Sequence, residues 1–144
     1  MQPITSDRVI ADLRELAQLT SDEHGAQRVA WGPVFRQTRA WFTDKVKREL
    51  GLPVVTDAAG NNWVTVPGRS DRTVIVAGHL DSVPNGGWLD GCLGTLSAME
   101  ILRRYAACAD RPVTLKLVDW ADEEGARFGR SLVGSSAAGG SLNI

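Results

Sequence analysis

Val113-Thr-Leu-Lys-Leu-Val-Asp-Trp-Ala-Asp-Glu-Glu-Gly125 decides the fold, because an apolar run of strand length breaks off in two adjacent glutamates and a glycine. Residues 113–118 read as a buried strand. Neighbouring residues on an extended segment point to opposite sides, so one glutamate can hold a metal while the other, kept off it, takes a proton from water. A second run of the same kind, Thr73-Val-Ile-Val-Ala77, leads directly into Gly78-His-Leu-Asp-Ser-Val-Pro-Asn-Gly-Gly-Trp-Leu-Asp-Gly91, which carries His79, Asp81 and Asp90. In open α/β sheets ligands gather at the carboxyl ends of strands, and both acidic segments follow such ends.

The rest of the chain supplies the helices. Ser6 is placed to cap a helix in which Val9, Leu13 and Leu16 recur at i, i+4 and i+7, with Ile10 and Ala17 widening the apolar stripe. A polar loop at 20–27 precedes a second helix that starts near Pro33, ends before Gly51 and buries Phe35, Trp41, Phe42 and Val46. Pro53-Val-Val-Thr56 and Trp63-Val-Thr-Val66 flank the turn residues 57–62 as a hairpin with a loop longer than two residues. A third helix spans about 92–107, mixing Leu93, Leu96, Met99 and Leu102 with Glu100. After Glu124, the glycines Gly125, Gly129 and Gly134 predict a close-packed turn rather than a helix, and 134–141 reads as a small-residue tail. Strands alternating with helices predict an α/β layered domain.

At 144 residues the chain has the size of one ordinary domain and can bury about two thirds of its unfolded surface. Sixteen Lys and Arg against 17 Asp and Glu give a net charge of -1, with no basic run to track phosphates, which argues against a nucleic-acid partner. The opening Met1-Gln-Pro-Ile-Thr-Ser-Asp-Arg-Val-Ile10 lacks the charged-then-apolar plan of a signal peptide, and no apolar run approaches the roughly 20 residues that span a bilayer. The expectation is a soluble cytoplasmic protein with no membrane partner. Cys92 and Cys108 are too widely spaced for a zinc knuckle or a CxxC redox pair and read as reduced thiols. Cys92, near a helix start, is either a thiol of lowered pKa or a small packing residue, and the second is expected.

The candidate site residues each have a plain reading beside the chemical one. His79 and Asp81, spaced by two, are either a surface pair or a metal ligand with the carboxylate that orients it. Asp90, between Gly86-Gly87 and Gly91, can cap the following helix or, with two oxygens, bridge two cations about 3.5 to 4 Å apart; the two roles are compatible. Glu123 and Glu124 can belong to a solvated acidic turn that absorbs Asp119 and Asp122, yet 113–118 is too apolar to end in such a loop. His24, in an early polar loop, reads as a surface histidine.

Three blocks, Gly78-His-Leu-Asp-Ser-Val-Pro84, Asn85-Gly-Gly-Trp-Leu-Asp-Gly91 and Val118-Asp-Trp-Ala-Asp-Glu-Glu-Gly-Ala-Arg-Phe-Gly129, resemble in order and spacing the M20 metallopeptidase family, specifically its N-carbamoyl-L-amino-acid amidohydrolase and allantoate amidohydrolase branch. Gly25-Ala-Gln-Arg-Val-Ala-Trp31 and Asp57-Ala-Ala-Gly-Asn61 look like the same branch. The resemblance implies a three-layer zinc-hydrolase-like catalytic domain with two divalent cations, zinc or manganese. By it, His79 ligates one cation, Asp90 bridges both, Glu124 ligates the second, Glu123 is general base and acid, and Asp81 orients His79. The peptide after the bridging aspartate is often cis in this family, which would make Asp90–Gly91 a cis bond.

The implied substrate is a small N-carbamoyl or ureido compound, and the Arg-Phe-Gly run after Glu124 favours this branch over the aminoacylases and dipeptidases of the same family. Full-length members are implied to be homodimers, far longer, with a lid or dimerisation domain and two further ligands, usually histidines, from later in the chain. This sequence has two histidines, His24 and His79. Residues 1–144 are therefore expected to be the N-terminal portion of the catalytic domain, without the lid and the C-terminal portion, and inactive alone with a half-built site. Outside enzymes, the alternative is a non-catalytic remnant that binds another polypeptide through an exposed sheet.

Overall fold

The computed structural model describes residues 6–143. Residues 1–5, part of the stretch read for a signal peptide, and Ile144 lie outside them. Helix α1 (Ser6–Thr20) buries Val9, Leu13 and Leu16 as its periodicity predicts, while Ile10, expected to widen the stripe, is exposed because no element among the described residues packs over it. The polar loop that follows holds a minimal hairpin, β1 (Ser21–Asp22) and β2 (Gly25–Ala26). Helix α2 (Pro33–Leu50) has proline in its first turn and stops at Gly51, whose φ of 65° lets its N–H reach the carbonyl of Lys47. Then come β3 (Val55–Thr56), β4 (Asn62–Val66), β5 (Thr73–His79), helix α3 (Cys92–Ala106), β6 (Thr114–Trp120) and helix α4 (Val133–Ala138). The main sheet has the order β3-β4-β6-β5. β4 runs antiparallel to β3 and β6, whereas β5 and β6 are parallel, with α3 as the crossover between them.

One face of this sheet, carrying Val64, Val66, Leu115 and Leu117, packs with Leu96, Met99 and Leu102 of α3, Leu13 and Leu16 of α1, and Phe42 and Val46 of α2. Burying each such side chain contributes about 1.5–3 kcal/mol. A Cβ at Gly78 would run into Thr95, so the glycine is what lets β5 lie against α3. On the other face Thr73, Ile75 and Ala77 of β5 stay exposed. The described residues thus build the α/β arrangement that the strand and helix pattern predicts, with the long helices on one face of the sheet.

Two expectations change. Residues 133–138 form a helix although the glycine spacing predicts a turn. Gly134 sits inside it because a Cβ there would meet the backbone nitrogen of Ala121 at 2.6 Å, and the N–H of Gly134 bonds to Ala121 O at 2.9 Å. Tertiary docking, not propensity, makes this helix. Among the described residues no peptide is cis, so Asp90–Gly91 is trans. Both cysteines are free, and Cys92 packs in the core with its thiol pushed up to about 11 by burial. No helix among the described residues is long and apolar enough to cross a membrane.

Candidate active site

β5 ends at His79 and β6 at Trp120, neighbours in the parallel register, so both acidic segments leave the sheet side by side. Asp81, buried beneath them, joins the segments: its Oδ1 accepts the N–H of Glu123 at 3.3 Å and its Oδ2 that of Glu124 at 3.1 Å. The same residue meets the imidazole. Nδ1 of His79 lies 3.2 Å from the Asp81 carbonyl oxygen and 3.5 Å from Oδ1. Nε2 faces outward, 3.5 Å from Oε2 of Glu123 and 3.9 Å from Oδ1 of Asp90. The side chain of Asp90 is exposed, while its carbonyl accepts the N–H of Cys92 at 2.6 Å where α3 begins.

Glu123 and Glu124 lie beyond the end of β6, in a bend entered through Asp122 at a φ of 51°. Their separation is therefore set by a turn and not by strand alternation, a correction to the extended-segment reading. The turn is stitched to the start of α4 by Leu132 N–H on Glu123 O at 2.7 Å and Val133 N–H on Asp122 O at 3.2 Å. His24 sits at the surface beside Glu23, away from these residues.

The electrostatics of the cluster suit a cation. Burial raises the Glu124 pKa, the charges of Asp90, Glu123 and Asp81 raise it further, and only His79 opposes them. For His79, burial favours the neutral ring, but the hydrogen bond and charge of Asp81 and the charge of Glu123 outweigh it and lift the pKa to about 9. Carboxylates crowded around one imidazole form a donor set that a divalent cation would satisfy, through Nε2 of His79 and the oxygens of Asp90 and Glu124. Among the described residues, however, no group of three His, Cys, Asp or Glu side chains is drawn together as a finished metal site. Nε2 of His79 is instead turned to Glu123.

Several residues that build the site fall in the quoted blocks but have no role assigned by the motif reading. Asp119, at the end of β6, is fully buried: its Oδ1 accepts the N–H of Leu80 at 2.9 Å and its Oδ2 lies 3.1 Å from Nε of Arg39 in α2. Burial pushes its carboxyl up to about 6 against the opposing charge of Arg39. The signal was present in the sequence, since Asp119 falls in the alternation of the core-facing Leu115 and Leu117. The segment 25–31 straps the His79 loop: Ala26 and Gly86 exchange backbone bonds of 2.9 and 3.0 Å, Ser82 N–H donates to Arg28 O at 3.1 Å, and Nε of Arg28 donates to Leu80 O at 2.8 Å. Asn61 bridges the hairpin loop to the end of β6, donating to Gly134 O at 3.0 Å and accepting from Ala121 N–H at 2.9 Å. These bonds link residues far apart in sequence, where spacing gives no sign of them.

Comparison with known proteins gives the family. The model of Peptidase family M28 matches residues 61–140, which hold both acidic segments. An N-carbamoyl-L-amino acid amidohydrolase of Geobacillus stearothermophilus is 43% identical over 100 residues, covering 66% of this chain and 24% of that protein. The N-carbamoyl-L-amino-acid amidohydrolase of Pseudomonas sp. (strain NS671) is 30% identical over 136 residues, 92% of this chain and 33% of its own length. Among solved structures, a hydantoinase/carbamoylase family amidase from Burkholderia ambifaria superposes with a TM-score of 0.90 at 30% identity, over 98% of this chain and 35% of that one. The chain thus spans about a quarter to a third of the length of these relatives. The amidohydrolase branch suggested by the motifs is borne out, and the matching family model carries the description M28 in place of M20.

Proposed function

On the premise that this chain belongs to peptidase family M28, whose model matches more than half of it, we propose that it is the N-terminal portion of the catalytic domain of an amidohydrolase that uses two divalent cations, zinc or manganese, to cleave linear ureido or amide C–N bonds, N-carbamoyl-L-amino acids first. The observation that carries this reading is the position of Asp81, whose carboxylate holds the peptides of Glu123 and Glu124 while also meeting Nδ1 of His79. His79 through Nε2 and Glu124 would each serve one cation, with Asp90 shared. Bound cations would polarise the scissile carbonyl and acidify water. Glu123 takes a proton from the attacking water and returns it to the leaving nitrogen. Asp81 keeps Nδ1 occupied so that Nε2 stays directed at the site. Nε2 of His79 lies 3.5 Å from Oε2 of Glu123, so a cation held by Nε2 would take the place of that contact and leave Glu123 as the base.

Within these residues each cation would have one private ligand plus Asp90, short of the three protein ligands a catalytic zinc takes. The 144-residue chain alone is therefore inactive. Calorimetric titration with zinc and with manganese, followed by assay for ammonia released from an N-carbamoyl-L-amino acid, tests both parts. The expected result is cation uptake that His79→Ala abolishes, without turnover. Turnover that disappears in Glu123→Gln would overturn the inactivity while supporting the reaction class. Wild-type protein that takes up no cation would sink the metal reading and leave the non-catalytic interaction module.

A further inference from the structure

The peptide chain between His79 and Asp81 is a single residue, Leu80, and both of its backbone groups are held by buried charged side chains. The β5–β6 ladder ends with His79 beside Trp120. One residue on, the N–H of Leu80 is taken by Oδ1 of Asp119 at 2.9 Å. The carbonyl of Leu80 accepts Nε of Arg28 at 2.8 Å, and its side chain is fully buried in the core. Asp119 is fixed in its turn: Nε of Arg39 lies 3.1 Å from Oδ2, Nδ2 of Asn62 donates to Oδ2 at 3.5 Å, and Nη2 of Arg39 reaches the Asp119 carbonyl at 3.4 Å. Arg39 is seated over the ring of Phe35, 4.5 Å from its centroid, and donates to Gly60 O. A carboxylate on β6 and a guanidinium from the strap thus take over where the backbone ladder stops.

We infer that Asp119 and Arg28 are positioning residues, which set the directions of His79 and Asp81 by gripping the N–H and the carbonyl of Leu80. Neither is hydrogen-bonded to His79 or Glu123, so beyond the charge of Asp119 their effect passes through the backbone. What the grip needs from residue 119 is an acceptor of carboxylate shape, not its charge. Asp119→Asn keeps that acceptor; Asp119→Leu removes it at similar volume.

The inference rests on the metal reading only in the zinc arm of its test. For zinc, Asp119→Leu and Arg28→Met are expected to weaken affinity about tenfold or more, while Asp119→Asn stays within about threefold of wild type. Arg103→Met, a destabilising change among the helices, separates positioning from stability and is expected to leave zinc affinity unaltered. Equal zinc affinity in folded Asp119→Leu and wild type, or equal loss in Asp119→Asn and Asp119→Leu, overturns the inference. Hydrogen exchange supplies the arm without metal, and it needs only wild-type protein. The Leu80 amide is expected to exchange as slowly as the ladder amides of β6, and exchange at the rate of an exposed loop amide overturns the grip even if a variant fails to fold. In the same metal-free protein the ring signals of His79 should shift more in Asp119→Leu than in Asp119→Asn, which loses the charge but keeps the acceptor. A wild type that binds no zinc but shows these two signatures would retire the metal reading and keep the grip.

Discussion

Gly91 makes room for the imidazole on which the site depends. Its φ is 64°, and a Cβ built there would stand 2.5 Å from Cε1 and Nδ1 of His79 and from the His79 carbonyl oxygen. With a ψ of -45° this backbone lies outside the left-handed helical well, so an L side chain is strained here before any contact is counted. The ring has little freedom to yield, because Asp81 meets it on the Nδ1 side and Glu123 on the Nε2 side. Gly91→Ala is therefore expected to displace His79 and to lower zinc affinity about tenfold or more, read by calorimetric titration. Gly129, with a φ of 71° and nothing within 4 Å of its built Cβ, supplies the comparison: Gly129→Ala carries the backbone strain alone and should leave zinc affinity as it is. A Gly91→Ala protein that titrates like wild type would mean that the ring does not need this space. In the sequence Gly91 is recognisable as a turn glycine next to Asp90, but the ring that needs its missing Cβ arrives from β5.

The three long helices are joined by charge as well as by their apolar stripes. Nζ of Lys45 in α2 lies 2.9 Å from Asp12 in α1, and Nη2 of Arg103 in α3 lies 2.8 Å from the other oxygen of Asp12. Glu49 meets both cations, and Arg103 also reaches Glu100 at 3.2 Å, where Arg104 and Arg8 converge. Asp12, Lys45, Glu100 and Arg103 are all buried, so removing one member leaves opposite charges desolvated and unpaired. Arg103→Met should cost about 3 kcal/mol in urea denaturation, whereas Glu15→Ala, at the half-exposed edge of the cluster, should cost less than about 1 kcal/mol. Similar small losses for both would show that the cluster is solvated and weak. Such a cluster is hard to read in advance, since Asp12, Lys45 and Arg103 look like the polar faces of amphipathic helices. Helix ends and strand runs were legible: Pro33, Gly51 and the apolar stripe of α1 state local geometry. Helix α4 was not, because Ala121 and Asn61, which receive Gly134, are contributed by distant segments. At the site, the motif residues His79, Asp90, Glu123 and Glu124 could be picked out by type and spacing. Asp119 and Arg28 could not be given a task, because it depends on where the β5–β6 register stops.

At the scale of the molecule, the sheet has a long open edge at β5. In the order β3-β4-β6-β5, β5 is an edge strand, so the backbone groups on its outer side have no ladder partner among the described residues. Thr73, Ile75 and Ala77 of the same strand are exposed on the face that the helices do not cover, and Val74 is about half exposed as well. An unpaired edge with apolar side chains invites another strand, and natural edges are kept apart by placing a lysine or a proline there. Lys116, on the neighbouring strand β6, is half-buried, with its ammonium 6.0 Å from the centroid of the Trp63 ring, and so does not guard β5. The 144-residue chain is therefore expected to associate, with a mass by light scattering that rises with concentration. Ile75→Lys sets a charge in the middle of the exposed row without touching the core cluster, and should return the protein toward the monomer mass with little change in thermal stability. A wild-type mass that stays at the monomer value from dilute to concentrated solution would show that this edge does not recruit a second strand.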